Sequence, residues 1–397
     1  MRVCMITTSY PRWPGDSAGV FVAKLALYLT KEQNIEVTVL APADTGVSLY
    51  ERTDKVDVHR IKYFWPSRLQ KLAYRHGIPW NIKYDKIAKL NTPFFLLAFA
   101  WKLCIYARRA DIIHAHWGGL GAVAVATRFI HRLPVVVMVR GTDLSTKSKL
   151  IRWITEWAVK RADAVVTNSP EYYQPCCNLR REERSCHYVH NGVEYPSDQE
   201  LAEFRAEYKR QNGNVNIISV ARLIPERRYD ILIRAFAKVH KQYAGTNLTL
   251  VGDGPERGFL ESLVKDFGLD NSVEFVGMVP HNEVFGYLAR ADMYVSATTV
   301  EAQGNAVLEA AAYGLPVVTT DVGFPSELVI DGETGFVVNP NDEQGLIDAM
   351  NRLLSNHERM KVAGRRMRER VRSMDLSWSV CARKNLDVYK TCLANRS

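Results

Sequence analysis

Twelve short β-rich apolar runs, separated by helical patterns, constrain this chain more than any other feature. In the first half RVCMIT, EVTVL, VDVHRI, DIIHAH, PVVVMV and DAVVTN read as strands, and in the second half NVNIISVA, NLTLVGD, VEFVGM, DMYVSA, PVVTT and GFVVN do. Between them lie stretches such as RYDILIRAFAKVHKQY, with apolar residues at helical spacing. Strands that alternate with helices along a whole chain are the signature of parallel α/β sheets. Two series of this kind imply two Rossmann-like doubly wound domains facing a central cleft. The polar stretch YPSDQELAE, after the NGV turn, reads as the linker and divides the chain into 1–195 and 196–376. The segment LSWSVCARKNLDVYK reads as an amphipathic helix, about 377–397, and is grouped with the first domain, although its pattern alone names no docking site.

A chain of 397 residues with 47% hydrophobic and 24% charged residues has the composition of an ordinary soluble protein of two domains. Its opening MRVCMITTSY reads as a first strand and not as a signal peptide. The apolar run Pro93 to Tyr106 is shorter than a membrane span and contains Lys102. Seven scattered cysteines show no secreted framework, so a reducing cytoplasm is expected. Cys176, Cys177, Cys186, His187 and His190 cluster in sequence, but without the paired spacing of a zinc site. The net charge of +9 is regional. Residues 52–110 hold 13 Lys or Arg against three Asp, interleaved with aromatics such as Phe64, Trp65, Trp80 and Trp101. Such a basic aromatic region fits an anionic membrane surface better than nucleic acid, for which no binding signature accompanies it.

Ligands of doubly wound sheets gather at the carboxyl ends of strands. After the first strand a Pro/Gly-rich loop leads to Gly19, where a missing side chain allows close backbone approach. After NIISVA come Arg222 and Arg227, able to hold a diphosphate through charge-assisted bonds. After LTLV comes the GDGPE turn with Asp253. After MYVSATT comes EAQGNAVLEAAAYGLPVV, with Glu301 in the loop and Glu309 within an otherwise apolar helix. A buried carboxylate needs a partner. The amides of Asn305, Ala306 and Val307 would face an anion, and Glu309 a sugar diol.

These pieces, with VARLIPER, VGDGP, VEFVGMVP, NGV and DGETGFVV in order, resemble glycosyltransferase family four, most closely from about Val189 to Asp342. The resemblance implies the two-domain GT-B fold and retaining transfer from a nucleotide sugar. It implies Glu309 on the nucleotide ribose, Glu301 on the donor sugar, Arg222 and Arg227 on the diphosphate, Gly19 near the same phosphates and the backbone at Met278 beside the base. Gln303 and Gly304 belong to the same donor loop. This chain departs from the family pattern in three places. Arg227-Arg228 replaces a Lys-Gly pair, and Ala302-Gln303 replaces Gly-Phe after the first glutamate. Arg140-Gly141 stands where many members have His-Gly, so either Arg140 takes an electrostatic role or the HAHW segment, with His114 and His116, supplies the imidazole.

The expected protein is therefore a cytoplasmic, peripheral-membrane hexosyl- or N-acetylhexosaminyltransferase using a UDP- or GDP-sugar. Its acceptor would be a glycan or lipid-linked glycan of cell-surface polysaccharide or lipopolysaccharide synthesis. No cofactor or metal is expected, because no Asp-x-Asp occurs in the chain. The alternatives are a nucleotide-sugar epimerase on the same fold and a non-catalytic membrane- or nucleic-acid-binding protein.

Overall fold

In the central strands both faces are apolar, and successive residues feed opposite cores. Val3 and Met5 pack into one core of the first unit, Cys4 and Ile6 into the other. Val136 and Met138 repeat the split against Val135, Val137 and Val139. Strands buried on both faces must be covered by helices on both sides, which fixes a three-layer α/β arrangement. A computed structural model describes every residue except 75–76, 141–142, 145, 147, 181–184, 208–213 and 396–397. The chain divides into two compact units, Met1–Gly192 with Trp378–Ser397, and Val193–Ser377.

Unit 1 contains β1 (Arg2–Ile6), β2 (Glu36–Pro42), β3 (Tyr50–Thr53), β4 (Val56–Ile61), β5 (Ile112–His116), β6 (Val135–Val139), β7 (Ala164–Thr167) and β8 (Cys186–Tyr188). Their order is β3-β4-β2-β1-β5-β6-β7-β8, parallel except for β3 against β4. Its helices are α1 (Val20–Lys31), α2 (Ile78–Tyr84), α3 (Lys86–Tyr106), α4 (Gly118–Ala126), α5 (Arg128–His131), α6 (Lys149–Arg161) and α7 (Pro170–Arg180). Side chains of α3, α4, α6 and α7 share one core, on one side of the sheet. Those of α1 share the other core with the C-terminal helix Trp378–Ala394. That helix is anchored by Tyr389, which is fully buried.

Asp85 starts α3 by accepting the amides of Ile87 and Ala88 at 2.8 and 3.2 Å, satisfying two donors that the helix cannot. The apolar run read as too short to span continues N-terminally into a helix of 21 residues, because the preceding Lys86, Lys89 and Leu90 are themselves good helix formers. With the turn that follows it, Lys86–Arg109 is long and apolar enough to cross a membrane. Yet Ala88, Phe95, Phe99 and Leu103 form a stripe inside the core of unit 1.

Unit 2 contains β9 (Val215–Val220), β10 (Thr246–Val251), β11 (Val273–Gly277), β12 (Met293–Val295), β13 (Val317–Thr320) and β14 (Gly335–Val338), in the order β11-β10-β9-β12-β13-β14. All its pairings are parallel. Its helices are α8 (Asp198–Glu207), α9 (Tyr229–Gln242), α10 (Arg257–Asp266), α11 (His281–Arg290), α12 (Asn305–Ala312), α13 (Gly323–Leu328), α14 (Glu343–Leu354) and α15 (His357–Ser373); the C-terminal helix of unit 1 is α16. Both sheets reverse direction beside their first strand, the first between β1 and β5 and the second between β9 and β12. At such a switch point adjacent loops diverge and leave a crevice at the carboxyl ends of the strands.

Each of the twelve expected strands is present. Among the described residues two further strands, β3 and β8, occupy the edges of the first sheet. β3 is YERT, largely exposed, and β8 is only three residues long, so neither carries an apolar run to read.

Candidate functional site

The switch point of unit 2 gathers most of the expected donor residues. Arg222 follows β9, and Arg227 ends a single 3₁₀ turn, Pro225–Arg227. Arg228 then enters the left-handed region, at φ 48°, and opens α9. The Glu226 carbonyl ties this turn to the end of β12, accepting the Thr299 amide at 2.9 Å and the Thr298 hydroxyl at 3.1 Å. Arg227 Nη1 donates to Glu301 Oε2 and, at 3.3 Å, to Thr298 Oγ1. Desolvation opposes the Arg227 charge, but the adjoining Glu301 carboxylate outweighs it and the guanidinium pKa is raised. Arg222 reaches solvent, yet crowding of its guanidinium and then the charge of Arg227 push its pKa down. Arg222 and Arg227 disfavour one another's charge, with Glu301 on Arg227 and the Glu226 carboxylate acting on Arg222, and an anion bound to both cations would relieve the repulsion.

The loop carrying Glu301 is held by its surroundings. Ala302 donates its amide to Glu301 Oε1 at 3.0 Å, and the Ala302 carbonyl accepts the Phe324 amide at 2.9 Å. Gln303 is buried within the unit. Gly304 adopts φ 66° as the N-cap of α12, and a Cβ there would lie 2.6 Å from Pro325 Cγ. Its carbonyl takes the Leu308 amide at 3.0 Å, so the amides of Ala306 and Val307 precede the helical ladder. Asn305 is exposed, Ala306 half-buried and Val307 buried.

Glu309 lies one turn into α12 and is half-buried. Its Oε1 meets His281 Nε2 at 2.9 Å. His281 opens α11, three residues after the exposed Met278, and its ring stands edge-on to Phe285 at 5.1 Å. Phe285 in turn stacks on Tyr313 at 5.6 Å. The sequence reading left His281 out. Its signal is the VPHNEV segment, a histidine on the first turn of a helix that follows a strand, but nothing in that spacing points to a carboxylate 28 residues on.

Asp253 is engaged in its own turn. Its carboxylate accepts the Gly254 amide at 2.7 Å and sits 3.4 Å from Arg257 Nη1. Its carbonyl accepts the Leu223 amide at 3.0 Å, which joins the GDGPE turn to the arginine loop.

Unit 1 places Gly19 and His116 at its own switch point and Arg140 one strand further on. Gly19 has φ 68°, and a Cβ there would lie 2.3 Å from the Ser9 carbonyl oxygen, so the loop's own backbone already demands glycine. His116 is fully buried at the end of β5, and among the described residues neither ring nitrogen has a hydrogen-bond partner. It stacks on His114 at 4.4 Å, and His114 Nδ1 meets the Tyr389 hydroxyl at 2.5 Å. Desolvation, aided by Arg140, pushes His114 down to about 3; desolvation, then His114 and Arg140, holds His116 well below its usual value. Both rings are therefore neutral at physiological pH. Arg140 is buried, with its guanidinium 4.0 Å above the Phe21 ring and 3.4 Å from Asn191 Oδ1. Desolvation lowers it to about 10, so it remains a cation at neutral pH. Its amide donates to Asp143 Oδ2 at 2.8 Å, and burial raises that carboxyl to about 6. Gly141 lies outside the described residues.

Comparison with known proteins bears on both units. Residues 17–192 match the family model for a glycosyl transferase 4-like domain, and residues 201–370 match that for glycosyl transferases group 1. A glycogen synthase of Mycobacterium tuberculosis is 26% identical over 98% of this chain and 94% of its own length. A GDP-mannose-dependent alpha-(1-6)-phosphatidylinositol monomannoside mannosyltransferase of the same species is 25% identical over 97% of each chain. The solved sucrose-phosphate synthase from Thermosynechococcus elongatus superposes with a TM-score of 0.83 at 21% identity, over 99% of each chain. The two Rossmann-like units are those of a GT-B protein, and the chain belongs to the group 1 glycosyltransferases with a glycosyltransferase 4-like first domain.

Proposed function

We propose that this glycosyltransferase takes its sugar from a nucleotide-sugar donor bound by unit 2. It passes that sugar, with retention of configuration, to a glycan or lipid-linked acceptor at the cytosolic face of the membrane. The product enters cell-surface polysaccharide or lipopolysaccharide. The observation that carries the donor reading is the pair of mutually repelling guanidiniums, Arg222 and Arg227, at the switch point of the second sheet. The similar mannosyltransferase is named for a nucleotide-sugar donor and a lipid acceptor, which supports both halves of the reading.

The chemistry follows from charge. When the sugar–phosphate bond breaks, negative charge grows on the departing diphosphate. Arg222, Arg227 and the first amides of α12 are positioned in advance to stabilise it. These fixed cations supply the role that a divalent ion would take, so transfer proceeds without added metal. Glu301 holds Arg227 and hydrogen-bonds the donor sugar, and Glu309 accepts from the ribose hydroxyls. Within unit 1, Arg140 is the charged candidate near the acceptor, while the neutral His116 is enclosed and acts only through its neighbours. Retention arises by attack on the face the diphosphate leaves, with a phosphate oxygen taking the acceptor's proton.

The test is the anomeric configuration of the product, read by proton NMR after transfer from an α-linked donor. An α-linked product is expected. A β-linked product overturns retention, and sugar isomerisation without any acceptor would instead establish the epimerase reading.

A further inference from the structure

Resting on the membrane reading above, we propose that unit 1 lies on an anionic bilayer through the outer surface of neighbouring helices in one of its two helical layers. That surface comprises α3, α5 and α6, and extends well beyond the basic segment 52–110.

The layer is defined by packing. α3, α4 and α6 contribute side chains to the same core on one side of the sheet, and α4 packs against both α3 and α6, with α5 at its end. On the outside of this layer α3 exposes Leu90, Phe94, Leu97, Trp101 and Ile105. These follow one another at intervals of three or four residues, a single stripe opposite the buried one. The next helices continue it, with Phe129 and Ile130 on α5, and Leu150 and Trp153 on α6. Phe129 is 77% exposed and Trp153 61%. The opposite layer gives the control. Among the described residues, neither α1 nor α16 carries an exposed large hydrophobic side chain. Chance exposure would scatter such residues over both layers. Trp13, Leu49 and Tyr50 are exposed outside the helices, but among the helices of unit 1 such side chains fall on one layer only, which marks a face that is covered when the protein works.

Charge says what covers it. Residues 128–161 hold eight Lys or Arg against two acids, Asp143 and Glu156, a second basic stretch after 52–110. One of the eight, Arg140, is buried with Asp143, and Arg128 is paired with Asp163 at 2.5 Å. Lys149, Arg152, Lys160 and Arg161 remain exposed along α6. Lys86, Lys89, Lys102, Arg108 and Arg109 do the same along and just beyond α3. Large apolar and aromatic side chains ringed by cations match the boundary between acyl chains and anionic headgroups. An apolar protein partner would not call for that excess of one sign. α3 cannot cross the bilayer while unit 1 is folded, because Phe99 and Leu103 are fully buried in the core. It therefore lies in the membrane plane.

Flotation of the full-length protein with phosphatidylcholine vesicles, with and without phosphatidylglycerol, tests this. Wild type should float with the anionic vesicles only. Phe129→Ser with Ile130→Ser, and separately Leu150→Ser with Trp153→Ser, should each weaken partitioning by about a hundredfold or more, as loss of two buried apolar side chains implies. These side chains are exposed, so the unfolding midpoint and nucleotide affinity should not move. As a second readout, emission attributable to Trp153, from the difference between wild type and Trp153→Phe, should be quenched by brominated acyl chains. If Leu97→Ser with Trp101→Ser releases the protein while the α5 and α6 variants bind normally, the proposal is wrong and membrane contact through α3 alone stands. Failure of wild type to bind vesicles removes both, and if it sediments as a dimer that these variants dissolve, a second copy is the occupant.

Discussion

Arg227 joins the fold and the proposed chemistry in one side chain. Its guanidinium joins the turn after β9 to the loop after β12 by reaching Glu301 and Thr298. Its charge survives burial because Glu301 is beside it. If Arg227 stabilises the departing diphosphate as proposed, replacing it by Ala should lower kcat by about 10²–10³. The pair keeps some solvent contact, 25% for Arg227 and 16% for Glu301, so its loss should cost about 1–2 kcal/mol, less than a fully buried pair. Steady-state kinetics with a urea titration separates the two effects. An unchanged kcat would remove Arg227 from the reaction. Glu309 was legible as a carboxylate in need of a partner. That His281 meets it was not, because the contact depends on how α11 lies across α12 and leaves no local spacing in the chain.

At the scale of elements, α3 is the case where sequence and structure differ most. Its apolar residues were readable, but composition alone could not separate a core stripe from a surface stripe when both faces are apolar. The structure assigns Phe99 to the core, fully buried, and leaves Leu97 68% exposed. Phe99→Ala should therefore cost about 3–5 kcal/mol of unfolding free energy, and Leu97→Ala within about 0.5 kcal/mol of nothing, in urea titrations. Equal losses would mean that the stripes have been exchanged. The β strands were legible for the opposite reason. Parallel strands covered on both sides need continuous apolar runs, whereas the edge strands β3 and β8 escape that requirement and escaped the reading.

Across the whole molecule, the two switch points explain why residues scattered along the sequence converge on the carboxyl ends of adjacent strands. Motif order and the alternation of elements carried that much. Burial of the histidines was not legible, and it makes stability depend on pH. His114 is pushed to about 3 and His190 to about 4, both chiefly by desolvation, and His116 is held well below its usual value. Each takes up a proton less readily folded than unfolded, so its contribution is present above about pH 6.5 and is lost as pH falls towards the folded value. Asp143, raised to about 6 by burial, has the opposite sign. Its contribution is present below about pH 4 and lost as pH rises through the folded value, so it offsets one histidine. Unit 1 should lose stability from about pH 7 to about pH 5, by at most about 2 kcal/mol per histidine, and His116→Asn should flatten the profile. A urea midpoint that rises on acidification would contradict the neutral, buried state of these rings.

The central claim is that the switch point of unit 2 binds a nucleotide sugar through Glu309 and the two arginines. Isothermal titration of wild type and Glu309→Ala with UDP, GDP and ADP tests it most directly. Wild type should bind at least one of the three, and Glu309→Ala should bind the same nucleotide about tenfold or more weakly, a loss of about 1.4 kcal/mol. Equal affinities in the two proteins would contradict the ribose assignment, and no binding of any of them to wild type would contradict the donor site itself.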